Sequence, residues 1–544
     1  VANTTGANNT AVGLSALTAN TTGAQNTAVG GRSQEATTTG SDNTSIGWGS
    51  LVLNTTGASN TALGRSSLAA NTTAANNTAV GTNSLLVNTT GASNTSIGSG
   101  ALAANTTASN NTAVGLLALN ANTTGANNVA VGQGSLDVNT TASNNTGLGT
   151  QTLSANTTGT ANTAVGYAAL EANTTAANNT AVGFTALLAN TTGDSLTAVG
   201  KDSMLRNTEG RFNSSLGYET LALNTTGSQN TAIGKAALYN NTTASNNTAV
   251  GMNALAANTT GTRNCAFGFG AADATTTTND VAAFGHNALG ANTSGTQNAA
   301  FGTNTLLSNT SGELNVAFGH FALEGQTTPD YNTAVGAQAG IAVTTGAQNT
   351  LIGAKAGLAQ TTANNNVYVG YVAGDATTTG SQNVAIGVDA LASTTTGSYN
   401  IAVGYSTAST SATASSQITL GNSSQNTLRC NTQTISALSD ERDKTDIVDS
   451  PYGLDFINTV RPVQFKWESR DENSNDGFTR IGFIAQELLA ATDGNNAVLD
   501  LVLDDNPDKL EAKYGNLLPI AIKAIQEQSA LIKSLTDRIA ALEA

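Results

Sequence analysis

Hydrophobic and polar positions repeat along this chain with a period of 17 residues. A glycine recurs at Gly13, Gly30 and Gly47 and then at every seventeenth residue to Gly421, which makes 25 positions without an insertion or deletion. Leu predominates four residues after this repeat glycine, and Asn stands four residues before it in 22 of the 25 units, the exceptions being Leu196, Val281 and Gln417. A period this regular predicts that each unit stacks directly on the last.

Within one unit, such as residues 9–25, two segments have distinct local preferences. Residues 10–13 alternate as in a short strand, which places Thr10 and Val12 on one face and Ala11 and Gly13 on the other. The Asn-Thr-Thr-Gly segment is typical of a turn, in which we expect Gly to supply a positive φ. The intervening Gly-x-x-Ala-Leu segment is compatible with a second strand or with one helical turn.

The fold predicted for residues 1–421 is mainly β, a parallel β-solenoid or β-roll of 17-residue rungs. A single rung cannot bury its Val and Leu, whereas stacked rungs bury them against the same residues above and below. Only 10% of the residues are charged. Stacking explains this because a charge repeated in every rung would face its own copy about 4.8 Å away. Neutral Asn and Thr can form side-chain hydrogen-bond ladders instead.

The end of the chain has a different period. Apolar and small residues alternate at steps of three and four from residue 517 onward, which predicts a terminal helix over about 517–544. The seam matches a coiled coil, although a single amphipathic helix packed on its own domain is the alternative. The seam positions are Leu518, Ala521, Ile525, Gln528, Ile532, Leu535, Ile539 and Leu542.

Composition changes near residue 438, where aromatic and charged residues replace the Gly, Asn, Thr and Ala of the repeats. We therefore expect a shaft at 1–421, a neck or linker at 422–438, and a small α+β domain at 439–544. Of the 35 acidic residues, 20 lie in 439–544, together with 11 of the 20 basic ones. This leaves a long body of low charge.

Charge and composition also argue against several classes of partner. The net charge of −15 makes nucleic acid an unexpected partner. Cys265, Cys430, His286 and His320 are isolated in sequence and form no metal-ligand spacing, so neither a metal nor a cofactor is expected. No apolar run reaches membrane-spanning length, so membrane insertion is not expected either.

The repeats resemble the head repeats of trimeric autotransporter adhesins and the related shaft repeats of phage fibres. Their signature is a short apolar strand ending in Ile-Gly or Val-Gly, as at residues 45–47, 232–234 and 385–387. The units in which Gly replaces the usual Leu come closest; these positions are Gly340, Gly357 and Gly374. The resemblance implies a parallel homotrimer in which each chain winds its own coil.

The C-terminal region resembles the endosialidase-type intramolecular chaperones, a self-cleaving Ser/Lys peptidase family found at the ends of phage tail spikes and fibres. The resemblance rests on Ser439-Asp440-Glu441-Arg442-Asp443-Lys444-Thr445-Asp446-Ile447 and on landmarks that follow in order. They are Arg461-Pro462-Val463-Gln464-Phe465-Lys466-Trp467, Ile481-Gly482-Phe483-Ile484-Ala485-Gln486-Glu487, Tyr514, Leu517, Pro519 and Ala524-Ile525-Gln526-Glu527.

This second resemblance implies cleavage of the bond between Leu438 and Ser439. Ser439 would be the nucleophile and Lys444 its general base, with Asp440 and Arg442 in supporting roles. A lysine can accept the serine proton if desolvation or a neighbouring cation lowers its pKa, and Arg442 is a candidate for that cation. Taken alone, Ser439 as a helix cap and Lys444 as a solvated charge would explain the same residues.

We expect from the sequence a structural fibre shaft of a phage tail fibre or spike that functions in host attachment. Its predicted partners are its own copies, as a homotrimer, and a host cell-surface receptor, either a glycan or a protein. The expected localisation is the virion tail fibre or another extracellular site, and autoproteolysis is the one activity expected. A bacterial surface adhesin with the same chaperone module and a polysaccharide depolymerase spike are the alternatives.

Overall fold

The computed structural model describes residues 3–425, 439–466, 477–504, 507–508 and 510–544. The chain forms two compact units, Val1–Thr345 and Gly346–Ala544. Both contain rungs of the repeat, and the second also contains the C-terminal region. Most of the predicted neck, residues 426–438 with Cys430 and Leu438, lies outside the described residues, as does Trp467.

Each described rung contributes one three-residue strand. In the first unit these are β1–β20: Thr10–Val12, Thr27–Val29, Thr44–Ile46, Thr61–Leu63, Thr78–Val80, Thr95–Ile97, Thr112–Val114, Val129–Val131, Thr146–Leu148, Thr163–Val165, Thr180–Val182, Thr197–Val199, Ser214–Leu216, Thr231–Ile233, Thr248–Val250, Cys265–Phe267, Ala282–Phe284, Ala299–Phe301, Val316–Phe318 and Thr333–Val335. In the second unit they are β21–β25: Thr350–Ile352, Val367–Val369, Val384–Ile386, Ile401–Val403 and Ile418–Leu420.

Successive strands within each unit pair in parallel at an offset of 17 residues. Thr10 lies opposite Thr27 and Ala11 opposite Ala28, and the same register continues from rung to rung. The turns follow this register as well, since the Leu17 N–H donates to the Ser33 carbonyl at 3.0 Å. The predicted parallel β-solenoid of 17-residue rungs is therefore confirmed.

A typical strand turns its Ala toward the core, although the sequence predicts that its Val is buried. Ala28 is fully buried, whereas Val29 is only half-buried and Val12 is exposed. The prediction that stacking buries the Val of each strand is wrong. The interior of the rung is filled by a small residue from the strand and by Leu51 or its equivalents from the turn, so it has no room for a second large side chain from the strand.

The Gly-x-x-Ala-Leu segment forms neither a second strand nor a helical turn. It is a run of turns in which Ser15 has φ 56° and Leu17 has φ 51°. A left-handed Leu is unfavourable on its own, because its Cβ crowds the following carbonyl. Leu17 is only 2% exposed, and burying its side chain offsets this cost.

The Asn-Thr-Thr-Gly turn also differs from the prediction, since its glycine does not have a positive φ. In the second rung the left-handed residue is Gln25, with φ 59°, and it comes two residues after Gly23. Ala stands at the equivalent position in other rungs, as at Ala74 and Ala108. A residue with a side chain is allowed where φ stays negative.

Buried asparagines form ladders along the solenoid, as the sequence predicts. The side chain of Asn43 donates to the Gly57 carbonyl at 2.9 Å and accepts the N–H of Asn60 at 3.0 Å. In a second column, Asn71 donates to the Asn54 side-chain oxygen at 2.9 Å. These amides supply polar partners within a core that water does not reach.

Two rungs of the second unit exchange large and small residues across the core. Tyr368 and Leu351 occupy the position that Ala holds in most strands, and both are fully buried. In the same two rungs Gly374 and Gly357 replace the usual Leu. A Cβ on Gly374 would lie 2.4 Å from the Tyr368 ring, so the large strand residue requires the glycine. Burial raises the pKa of Tyr368 to about 12.

The C-terminal region mixes short strands and helices. Its elements are a 3₁₀ turn at Glu441–Asp443, α1 Leu454–Thr459, β26 Val463–Lys466, β27 Thr479–Gly482, α2 Ala485–Ala491, α3 Asn496–Leu499, β28 Val502–Leu503, β29 Glu511–Ala512, a 3₁₀ turn at Tyr514–Asn516 and α4 Leu517–Glu543. Strands β26 and β27 pair antiparallel, as do β28 and β29. The core contains Phe456, Leu488, Leu499, Leu501, Val502, Leu517 and Ile520.

The predicted terminal helix is present, and its two ends have different surroundings. Leu517, Ile520 and Ala524 are buried near its start, whereas most of the predicted seam is exposed, as at Ile532 and Leu542. The start thus packs on its own domain, and the rest of the apolar stripe is uncovered in the single chain. No helix in the described parts of the chain is long and apolar enough to cross a lipid bilayer.

Candidate functional site

The segment after the predicted neck folds back so that Ser439 and Lys444 meet. Asp440 caps the 3₁₀ turn at Glu441–Asp443, where its carboxylate accepts the backbone N–H of Arg442 at 2.9 Å. The turn reverses the chain and brings the Lys444 Nζ to 2.5 Å from the Ser439 Oγ. The same ammonium lies 3.5 Å from the Ser439 carbonyl oxygen. The nucleophile and base predicted from the sequence are therefore within hydrogen-bonding distance.

The two supporting residues pair with each other. Arg442 donates from its Nε to both carboxylate oxygens of Asp440 and from its Nη2 to one of them, the shortest contact being 2.5 Å. These hydrogen bonds lower the pKa of Asp440 and raise that of Arg442. The positive charge of Arg442 is thus offset by Asp440. A role for Arg442 in lowering the pKa of Lys444 stays a prediction.

The chemistry available to this pair depends on the protonation of Lys444. As an ammonium, its Nζ donates a hydrogen bond to the serine oxygen. As a free amine, it would accept that proton and leave an alkoxide able to attack a carbonyl carbon. Both side chains are exposed in the single chain. Because desolvation lowers the pKa of a lysine, cleavage would be favoured by whatever covers this segment.

Later landmarks of the region hold its scaffold together. The Tyr514 hydroxyl accepts the Phe483 N–H at 3.2 Å, and the two rings meet edge to face at 5.4 Å. A Cβ on Gly482 would lie 2.7 Å from that hydroxyl, so this position requires glycine. The landmarks around residues 482 and 514, distant in sequence, therefore form one contact.

Two acidic landmarks have structural partners that the sequence did not identify. Arg461 donates to Glu487 through two nitrogens, and these hydrogen bonds lower the pKa of the Glu487 carboxyl. Glu527, on α4, accepts the N–H of Leu454 at 2.7 Å and so caps the start of α1. The cap of the 3₁₀ turn by Asp440 was detectable from sequence, since Asp is a favoured N-cap residue. The contact from Glu527 was not, because its partner is 73 residues away.

The two histidines and the one cysteine of the repeats are distant in sequence from Ser439 and Lys444 and have other surroundings. His286 stacks on Phe269 at 5.2 Å between ring centres, and His320 lies beside Phe321. Cys265 is half-buried in β16, where burial raises the pKa of its thiol. Within the described residues, no group of three or more His, Cys, Asp or Glu is arranged to hold a metal ion.

Comparison with known families places one match in this region. Residues 439–499 match the family described as chaperone of endosialidase, so the resemblance predicted from the sequence is confirmed. The match begins at Ser439 and includes Lys444. No curated protein and no solved structure matches the chain. A β-solenoid followed by a segment of this family fits a protein of phage tail-fibre or spike type.

Proposed function

We propose that this chain is the shaft of a homotrimeric extracellular fibre, a phage tail fibre or spike that attaches to a host surface. Its C-terminal segment acts as an intramolecular chaperone that aligns the chains and then cleaves the bond between Leu438 and Ser439. Ser439 is the nucleophile and Lys444 the general base. The 2.5 Å contact between the Lys444 Nζ and the Ser439 Oγ is the observation that carries the cleavage proposal.

The repeats make a separate alignment step useful. Nearly identical rungs can pair between chains in many registers, because a slip of one whole rung preserves almost every local contact. An oligomerising C-terminal domain removes this ambiguity by joining the chains at one end. Its later removal takes away the template, so that unfolded shafts no longer refold and the fibre is stabilised kinetically.

Autoproteolysis is tested by expressing the full chain and running it on a denaturing gel. Wild type is expected to give a body of 438 residues and a fragment of 106. Ser439→Ala is expected to abolish both products, because it removes the attacking oxygen. Lys444→Arg is also expected to abolish them, since Arg keeps the positive charge but does not accept a proton at neutral pH.

Ser529→Ala is the matched control, because Ser529 is an exposed serine of the same region, on α4. It should be cleaved like wild type. Cleavage that persists in Ser439→Ala would refute the assignment of the nucleophile. Cleavage that persists in Lys444→Arg alone would refute the assignment of the base.

A further inference from the structure

In each of the two units, the strands of the solenoid present an apolar column on their outer face. The column consists of the residue immediately before each repeat glycine, and all 25 members are Val, Ile, Leu or Phe. None of them is buried, and their exposed fractions reach 57% at Phe318. Strand positions that face water are normally occupied by polar residues. A column without one polar member therefore indicates a face that is covered in the functional protein.

The strands that carry this column contain no charged residues. None of the three strand residues is charged in any of the 25 rungs. The charged residues of the repeats lie in the turns instead, such as Arg32 and Glu35, which pair at 2.7 Å. Depletion of charge is what distinguishes the centre of a protein interface from ordinary surface.

The first unit alone offers enough of this face for stable association. Its twenty strands, about 4.8 Å apart and about 10 Å long, present a face on the order of 900 Å², compared with the roughly 800 Å² that each partner buries in a standard interface. A partner that covers the column along its length must match the axial repeat of the rungs. A second copy of this chain has that repeat.

Four successive rungs differ from the rest of the column. Phe267, Phe284, Phe301 and Phe318 replace the aliphatic residue, and their rings stack with centres 5.0, 4.7 and 5.8 Å apart. In these same rungs the first strand residue is Cys265, Ala282, Ala299 or Val316. In the other sixteen rungs of the first unit it is Thr or Ser in all but one, Val129. Loss of the hydroxyl thus coincides with gain of the ring.

We propose that the apolar column is the face along which copies of the chain pack in parallel, and that Phe267, Phe284, Phe301 and Phe318 mark their axial register. In register, the four Phe layers of each copy meet the four of its neighbours. A slip of one rung places a Phe against an aliphatic residue at each end of the cluster, so both of these layers lose the matched packing of Phe on Phe or aliphatic on aliphatic. This deepens the proposed homotrimeric fibre and rests on it.

The test measures distances between copies by pulsed electron paramagnetic resonance. A spin label is attached at Ser294→Cys, an exposed turn position, in a full chain carrying Cys265→Ala and Cys430→Ser. One narrow distance is expected for this reference protein. Replacing all four Phe by Val makes the column uniform, and we expect the distance distribution to broaden through rung-shifted registers.

A rescue variant separates register from general stability. In the four-Val chain, Phe is placed at Val165, Val182, Val199 and Leu216, which are four successive members of the same column. A single narrow distance should return, because the cluster of four Phe has only been moved to other rungs. An unchanged narrow distance in the four-Val chain would overturn the register assignment and leave the C-terminal region as its source.

The interface itself is tested by adding charge to the column. In the first unit, Val114→Asp with Val131→Asp should separate the shafts and lengthen the label distances, while the circular dichroism of the strands is retained. Thr124→Asp with Thr141→Asp, at exposed positions in the turns of the same rungs, is the control. If the chain is oligomeric by light scattering and the Val variants leave the label distances unchanged, this inference fails and the fibre proposal stands. A monomeric reference chain would contradict both.

Discussion

At the residue scale, each buried asparagine before a strand completes hydrogen bonds in two neighbouring rungs. The Asn60 side chain donates to the Ala74 carbonyl at 2.9 Å and accepts the N–H of Asn77 at 3.0 Å. Leu196 occupies the equivalent position in its own rung and is also buried. It has no side-chain oxygen to accept the N–H of Asn213 and no amide to donate. The ladder therefore has a natural interruption at this rung.

This interruption gives the first prediction. Leu196→Asn should raise the free energy of unfolding by up to about 1 kcal/mol, because it restores the missing ladder bonds. Leu187→Asn is the control, since Leu187 is fully buried among apolar neighbours and makes no ladder contact. That change should cost about 3 kcal/mol through lost packing and an unpaired amide. Thermal unfolding followed by circular dichroism measures both, and an equal loss in the two variants would contradict the ladder argument.

At the element scale, the secondary structure is short and depends on its neighbours. Each strand of the solenoid has only three residues, so its stability comes from parallel pairing with its neighbours. The terminal helix is the exception, with 27 residues. Its start is anchored by Leu517, Ile520 and Ala524, and beyond them the apolar stripe continues without cover.

The uncovered stripe predicts that α4 contributes to self-association. Ile532→Asp, at a seam position that is 57% exposed, should weaken association by about 2 kcal/mol per chain, because an apolar side chain that the partner helix would bury is replaced by a charge. Ser534→Asp adds the same charge away from the seam and serves as the control. Light scattering on both variants in an uncleaved Ser439→Ala background measures the effect. Equal masses would show that the seam faces solvent in the assembly.

At the scale of the whole molecule, the invariant period makes rungs interchangeable. Each strand presents to the next the same backbone groups that it receives from the previous one. Stability is therefore a sum over rungs and their contacts, and removing one complete rung removes only one such contribution. A deletion of any other length disrupts the pairing at the junction.

Deletions test this additivity directly. Removing residues 60–76, one whole rung, should leave the melting temperature within a few degrees of wild type. Removing residues 60–75 shifts the register by one residue, which turns the Asn and Ala of one side of the junction toward the wrong face. That variant should acquire a protease-sensitive site near residue 60. Limited proteolysis followed by mass spectrometry distinguishes the two, and equal resistance would argue against a fixed 17-residue register.

Sequence alone determined the features that follow from repetition and from local spacing. The constant step of 17 residues predicts the parallel register, since no other arrangement places identical residues beside each other along the whole chain. The recurrence of Asn in 22 of the 25 units predicts the ladders, because a buried amide needs a partner and its own copy supplies one. Ser439 and Lys444 are five positions apart, which is close enough for one turn to join them.

Tertiary structure decided which of two allowed faces became the interior. Alternation assigns Ala11 and Val12 to opposite faces of a strand, and hydrophobicity alone favours burial of Val. The rung has space for only one large side chain, and Leu17 fills it from a left-handed turn that local propensity would not predict. Only the closed rung fixes this volume, and it therefore turns Val outward and leaves the column exposed.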